Sequence, residues 1–181
     1  IRIYNPDFIN QASRAFGSST IVVAIEAIQQ PDRSYLAYTD NGREYTGLEV
    51  LAWAQEAEKR GAGEILLTSI DREGVGNGFD LELTKMISSA VTIPVIAHGG
   101  AANVSHIVET ISSAGADAVA IASMLHYSCL NRQEFLEENF DGEGNIEFLK
   151  KNSLHKVFGK DNLIEIKIRL NDQNIPLRVL N

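Results

Sequence analysis

Short apolar runs alternate along the chain with stretches in which apolar residues recur every three or four positions. That is the pattern of strands buried on both faces and joined by amphipathic helices. Asn5-Pro6-Asp7 followed by Phe8, Ile9, Ala12 and Phe16 predicts a first helix, and Ile1 to Tyr4 reads as the remnant of an earlier strand. The first full strand is expected over Thr20 to Ile28, an almost unbroken apolar run interrupted by Glu26. A polar excursion follows, from about Gln29 to Thr46. In it Tyr35 to Thr39 and Arg43 to Tyr45 flank Asn41-Gly42, a pair suited to a type I′ hairpin turn. Gly47 leads into a helix over Glu49 to Arg60, with Val50, Leu51, Ala54 and Ala57 at helical spacing and Gly61 as its stop.

The alternation continues with a strand at Glu64 to Ile70, a loop from Asp71 to Asp80 containing three glycines, and a helix over Leu81 to Ser89. A third strand, Ile93 to His98, runs into Gly99-Gly100. A helix over Val104 to Ala114 and a fourth strand, Ala118 to Ala122, come next. Gly61-Ala62-Gly63 before one strand is echoed by Gly115-Ala116-Asp117 before another, so the same joint is used twice. From Asn131 the chain is more polar. Its Asn162-x-x-Glu165 pattern ahead of Ile166 and Leu170 predicts a capping box on a closing helix.

Four βα units cannot close a barrel that ordinarily takes eight strands and about 250 residues. The fold expected is therefore α/β, the (β/α)8 TIM-barrel family, with this chain covering about the C-terminal four units. Residues 1–130 would form the half barrel with its hairpin insertion, and 131–181 an extension and closing helix of the same domain. The other half would come from a missing N-terminal half-barrel or from a second copy of the chain. An open doubly wound sheet is the alternative, weakened by the lack of a Gly-x-Gly-x-x-Gly turn.

Charge narrows the partners. A formal net charge of −8 with no Lys/Arg cluster argues against nucleic acid. An anionic ligand would need local positive potential, which helix N-termini can supply. No apolar run is long enough to span a bilayer, so no membrane partner is expected. The lone Cys129, expected to be a small semi-buried residue, suits a cytoplasmic, reducing compartment.

Chemistry in such a barrel sits where strands end and βα loops begin. Those positions here are Glu26, then Thr68 with Asp71 and Glu73, then His98-Gly99-Gly100, then Ala122-Ser123. Glycines admit an anion close to backbone N–H groups, so Gly99, Gly100, Ala122 and Ser123, with Gly74 in the preceding loop, fit a phosphate site. Glu26 inside an apolar strand is costly unless it faces a polar pocket or a partner; it reads as a general acid or base, or as half of a structural ion pair. Asp71 and Glu73 are loop acids that solvent alone could account for. His98 reads as a phosphate donor, a proton shuttle or a packed imidazole. His106, His126 and His155 show no metal spacing, and nothing calls for a metal or cofactor. Glu64 opens its strand, so it points to the opposite face of the barrel.

These residues carry a resemblance. The stretch Glu58 to Gly74, with its Lys59-Arg60-Gly61-Ala62-Gly63-Glu64 start and Thr68-Ser69-Ile70-Asp71-Arg72-Glu73-Gly74 end, is similar to the cyclase subunit of imidazole glycerol phosphate synthase. Gly78-Phe79-Asp80, Gly99-Gly100-Ala101 and Gly115-Ala116-Asp117-Ala118 resemble the same family. The likeness covers nearly all of Asn5 to Tyr127 and the second half of that barrel. It implies a subunit that takes ammonia from a glutaminase partner and converts a phosphoribulosyl-formimino-AICAR-phosphate type substrate to imidazole glycerol phosphate and AICAR. It further implies that Glu26 is one of two acid–base groups, the other lying in the missing half. Thr68, Gly74, Gly99, Gly100, Ala122 and Ser123 would surround a substrate phosphate, Glu73 would lie near the substrate, and Glu64 would belong to an ammonia gate. The departures are Glu26 and Glu73 where the family has Asp, Val75 where it has Thr, and His98 where it has Ser. A carboxylate one methylene longer is displaced by about 1 Å, enough to matter for rate. Such drift also fits a paralogue that passes ammonia to an enzyme aminating a nucleotide sugar in surface-polysaccharide synthesis. A third reading is an inactive half-barrel fragment.

Overall fold

A computed structural model describes residues 5–132 and 158–178, with the backbone alone for 130–132. The expected strand remnant at Ile1 to Tyr4, His155 and most of the tail 131–157 lie outside the described residues. In chain order the elements are α1 (Asp7–Phe16), a 3-10 turn (Ser18–Thr20), β1 (Val22–Gln29), β2 (Tyr35–Thr39), β3 (Glu44–Glu49), α2 (Val50–Lys59), β4 (Glu64–Ser69), α3 (Leu81–Ser88), β5 (Val95–His98), α4 (Val104–Ala114), β6 (Ala118–Ala120), α5 (Ser123–Arg132) and α6 (Leu163–Asp172).

One six-stranded sheet, ordered β3-β2-β1-β4-β5-β6, holds them together. β1, β4, β5 and β6 are parallel neighbours, while β2 and β3 join as an antiparallel hairpin. Residues at period two share a face. Val23, Ile25 and Ala27 of β1, Ile65 and Leu67 of β4 and Val95 of β5 are buried in one cluster with Val50, Trp53, Ala54 and Ala57 of α2, Leu83 and Ile87 of α3 and Ile9 of α1. The helices thus lie against one face. The other face carries Val22, Ala24 and Glu26, then Leu66 and Thr68, then Ile96 and His98, and is only partly covered; Val22 is 45% exposed. A doubly wound sheet would bury both faces under helices, so the single helical layer among the described residues is that of a barrel wall.

The repeated joint has one physical basis in both places. α2 and α4 are each followed by a glycine at positive φ, Gly61 at 102° and Gly115 at 71°. A buried alanine follows, Ala62 or Ala116. The N–H of the third residue then donates to the preceding parallel strand's run, Gly63 to Ile21 and Asp117 to Val95.

Three expectations need correction. The hairpin turn is longer than an Asn-Gly pair: Asp40, Asn41 and Gly42 all have positive φ, and Arg43 N–H reaches back to the carbonyl of Thr39. β3 runs on to Glu49, so Gly47 lies within a strand and the insertion ends later than Thr46. Cys129 is exposed, because α5 turns Met124 and Ser128, four residues apart, inward and leaves the next position outside.

α6 begins with the expected capping box: Asn162 Oδ1 accepts from Glu165 N–H, and Glu165 Oε2 accepts from Asn162 N–H. Ile166 and Leu170 then bury against the cluster containing Val104 and Ile107 of α4. Asn162→Ala is expected to cost about 1 kcal/mol of stability in urea unfolding.

Candidate functional site

The sheet register lines up a row of side chains at its C-terminal end. Glu26 pairs with Thr68, Thr68 with His98, and His98 with Ala120, all on the face that the described helices leave uncovered. Thr68 Oγ1 lies 3.1 Å from His98 Nδ1. On the far side, Tyr38 of the hairpin pairs with Glu26. The hairpin turn folds over this row, and the N–H of Gly42 donates to Glu26 Oε2 at 3.1 Å. Glu26 therefore meets neither of the costs that an apolar strand threatened: it is half-buried, and a backbone donor holds one oxygen.

Beyond the row, where β5 and β6 give way to loops, a small recess is lined by Glu73, Gly74, His98, Gly99, Gly100, Ala122 and Ser123, with Phe158 from the tail. Its volume of about 30 Å³ suits one compact polar group rather than a whole ligand, which ordinarily needs several hundred. Among the described residues, the N–H groups of Gly74, Gly99, Gly100 and Ser123 donate to no protein acceptor. Ser123 opens the ten-residue α5, whose first-turn N–H groups carry the positive end of the helix dipole. The glycines are also demanded by packing. A Cβ on Gly99 would lie 2.7 Å from the carbonyl oxygen of Ser69, and one on Gly100 2.2 Å from that of Gly78. A close backbone crossing and open N–H groups thus come from the same residues.

The structure brings seven of the ten rim candidates into the recess. Thr68 stands one step behind, touching it through His98. Glu26 lies two strands from His98, roughly 10 Å along the row at the usual strand spacing. Asp71 is occupied elsewhere, accepting the N–H of Gln29 at 2.8 Å. Glu64 sits at the opposite end of β4 beside Val22, half-buried, its N–H donating to the Ile21 carbonyl and its carboxylate without a hydrogen-bond partner among the described residues. His106 accepts the N–H of Ala102, 3.2 Å from Nδ1, at the start of α4.

Two contributors were not legible in the chain. Phe158 reaches the recess from a distant segment and stacks on Tyr127 with ring centroids 4.7 Å apart, a pairing that no local spacing announces. The second is a buried network beneath the rim. Asp80 caps α3 by accepting from Leu83 N–H, and it also accepts from the Tyr35 hydroxyl at 3.1 Å and from Ser69 Oγ at 3.3 Å. It ties the hairpin to the end of β4. Only its capping role, an Asp just before the helical run Leu81 to Ser89, carried a local signal.

Burial, and next the negative charge of Asp80, push the Tyr35 hydroxyl well above its ordinary range. A raised folded-state value means that stability is complete below the unfolded value, about pH 10, and is lost as pH rises beyond it. Unfolding free energy is expected to fall above that pH by up to about 1.4 kcal/mol per unit, a loss that Tyr35→Phe removes in denaturant titrations between pH 9 and 11.

The family model described as histidine biosynthesis protein matches residues 1–131. Proteins named imidazole glycerol phosphate synthase subunit HisF are similar. The one from Trichormus variabilis is 48% identical over 135 residues, 73% of this chain and 52% of the relative. That from Bacillus pumilus is 48% identical over 133 residues, 73% and 53% of the two chains, and that from Anoxybacillus flavithermus 52% over 126 residues, 69% and 50%. The chain spans about half the length of the curated relatives it matches. With its barrel wall and its loop-side recess, this chain belongs to the histidine biosynthesis protein family.

Proposed function

We propose that this chain is the C-terminal half of a cyclase subunit of imidazole glycerol phosphate synthase. The full-length protein uses ammonia, delivered by a glutaminase subunit, to convert a phosphoribulosyl-formimino-AICAR-phosphate type substrate to imidazole glycerol phosphate and AICAR. Residues 131–181 belong to the same domain as 1–130, a reading supported by the burial of Phe158, Ile166 and Leu170 against Ala97, Val104 and Ile107.

The observation that carries this reading is the recess itself. Four open N–H groups, on Gly74, Gly99, Gly100 and Ser123, line a space sized for one phosphate at the loop end of β5 and β6. Backbone donors suit an anion in a protein of overall negative charge, because they bring partial positive charge without a basic side chain. In this reading Ala122 and Ser123 supply the helix start, Thr68 positions the His98 ring, and Glu73 stands at the mouth where the rest of the substrate lies. Glu26 works along the same row as acid–base group. Its carboxylate is oriented by Gly42 N–H, a contact within the longer reach of Glu. Glu64, at the other end of the wall, is the ammonia-side residue.

Turnover of that substrate by the full-length protein with free ammonium tests the assignment. Product formation supports it. Phosphate binding without turnover, together with ammonia transfer to a separate acceptor, would replace it with the channel reading.

A further inference from the structure

His98 brings to the recess a group that the backbone donors do not: a side chain that can gain a proton. His98 lines the recess together with Gly99, Gly100 and Ser123. Nδ1 is engaged by Thr68 Oγ1 at 3.1 Å, and Nε2 has no hydrogen-bond partner among the described residues. The identity of that one partner matters. A threonine hydroxyl both donates and accepts. It can donate to Nδ1 of a neutral ring and, by turning its hydrogen away, accept from Nδ1–H of a charged one. The ring is thus held in place without being locked into either protonation state. A carboxylate or a backbone N–H in that position would favour one of them.

Glu73 shares the recess, and Glu26 lies in the same row beyond Thr68. The backbone-proximal part of Arg72 flanks Gly100, and its side chain lines a separate cleft with Asp80 and Glu82. β6, α5 and the tail present the uncharged Ala120, Ser123 and Phe158. A doubly charged oxyanion entering among the open N–H groups adds two negative charges next to the imidazole and shifts it toward the charged form.

We propose that His98 makes the recess a proton-linked oxyanion site. The imidazole takes up one proton from solvent as a dianionic phosphoryl-type group binds, and Nε2–H joins the backbone N–H groups as a donor to that group. The inference rests on the recess being the phosphate site, and it adds that occupancy responds to pH near neutrality.

Sulfate is the probe, because its own charge is constant over the range in question. Isothermal titration of the full chain with sulfate at pH 6 and pH 8 is expected to show binding several-fold tighter at the lower pH, the direction that proton uptake linked to binding requires. At pH 7 the binding heat is expected to change with the ionisation enthalpy of the buffer, which reports the proton taken up. His98→Gln and His98→Ser are expected to bind with the weaker affinity at both pH values and with no buffer dependence. Two variants of different size guard against a loss of fold in either, and the ring-nitrogen NMR shifts of His98 in the unaltered protein, with and without sulfate, give a third readout. Sulfate binding that is alike in the three proteins at both pH values, or unmoved ring-nitrogen shifts, would overturn the role of His98 and leave the phosphate recess standing. No sulfate binding by any of them at either pH would overturn the recess reading itself, and this inference with it.

Discussion

Glu26→Gln in the full-length protein is expected to lower turnover with free ammonia by about 10²- to 10⁴-fold, the span usual for loss of one acid–base group, while sulfate or phosphate affinity stays unchanged. The amide is nearly isosteric with the carboxylate, and its carbonyl oxygen can still accept the N–H of Gly42, so the row Tyr38, Glu26, Thr68, His98 keeps its geometry. Only proton transfer is removed. The recess lies two strands away and does not include Glu26 among its lining residues, so binding and turnover separate cleanly in this variant. Steady-state rates alongside sulfate titration give both numbers. Turnover within twofold of the unaltered protein would sink the acid–base assignment and favour a wall that conducts ammonia without doing chemistry.

A second large effect is expected at Gly100. Its φ of 98° is in the region that residues with a side chain rarely adopt, and an added Cβ would stand 2.2 Å from the carbonyl oxygen of Gly78. That carbonyl is not free to yield easily, since the N–H of the same Gly78 donates to the Gly100 carbonyl at 2.8 Å and pins the two loops together. Gly100→Ala is expected to cost about 3 kcal/mol, the upper end for a residue forced into a strained backbone region, and to weaken sulfate binding because the crossing that presents the Gly99 and Gly100 amides has to open. Gly74→Ala is the comparison. Among the described residues nothing lies within 4 Å of its added Cβ, and its φ of 73° leaves strain as the sole cost, about 1 kcal/mol. Urea unfolding of the two variants checks the ranking, and equal destabilisation would refute the crowding account.

The elements themselves were legible because each follows from local chemistry. An apolar run bounded by glycines makes a strand wherever helices can cover it, and the four parallel strands lie within a few residues of the runs that announced them. The Asn162 to Glu165 box needs only four residues to form, and it caps α6. The hairpin was likewise announced, but its turn was not: three successive residues at positive φ depend on where the turn rests, here over Ile28 and Ile70, either of which an added Cβ on Gly42 would press at 3.3 Å or less. Cys129 failed for the opposite reason, since average burial habits say nothing about which side of α5 faces the sheet.

By itself the amino-acid order determined a run of βα units, their strand ends and the residue types gathered there, because hydrophobic period and turn chemistry act over a few residues. Only the tertiary structure decided that Glu26, Thr68 and His98 stand in one row, that Gly42 holds the acid, and that Phe158 reaches the recess and Tyr35 the network beneath the rim from distant segments. Strand register and long-range packing set those meetings, and neither is written in any short window of sequence.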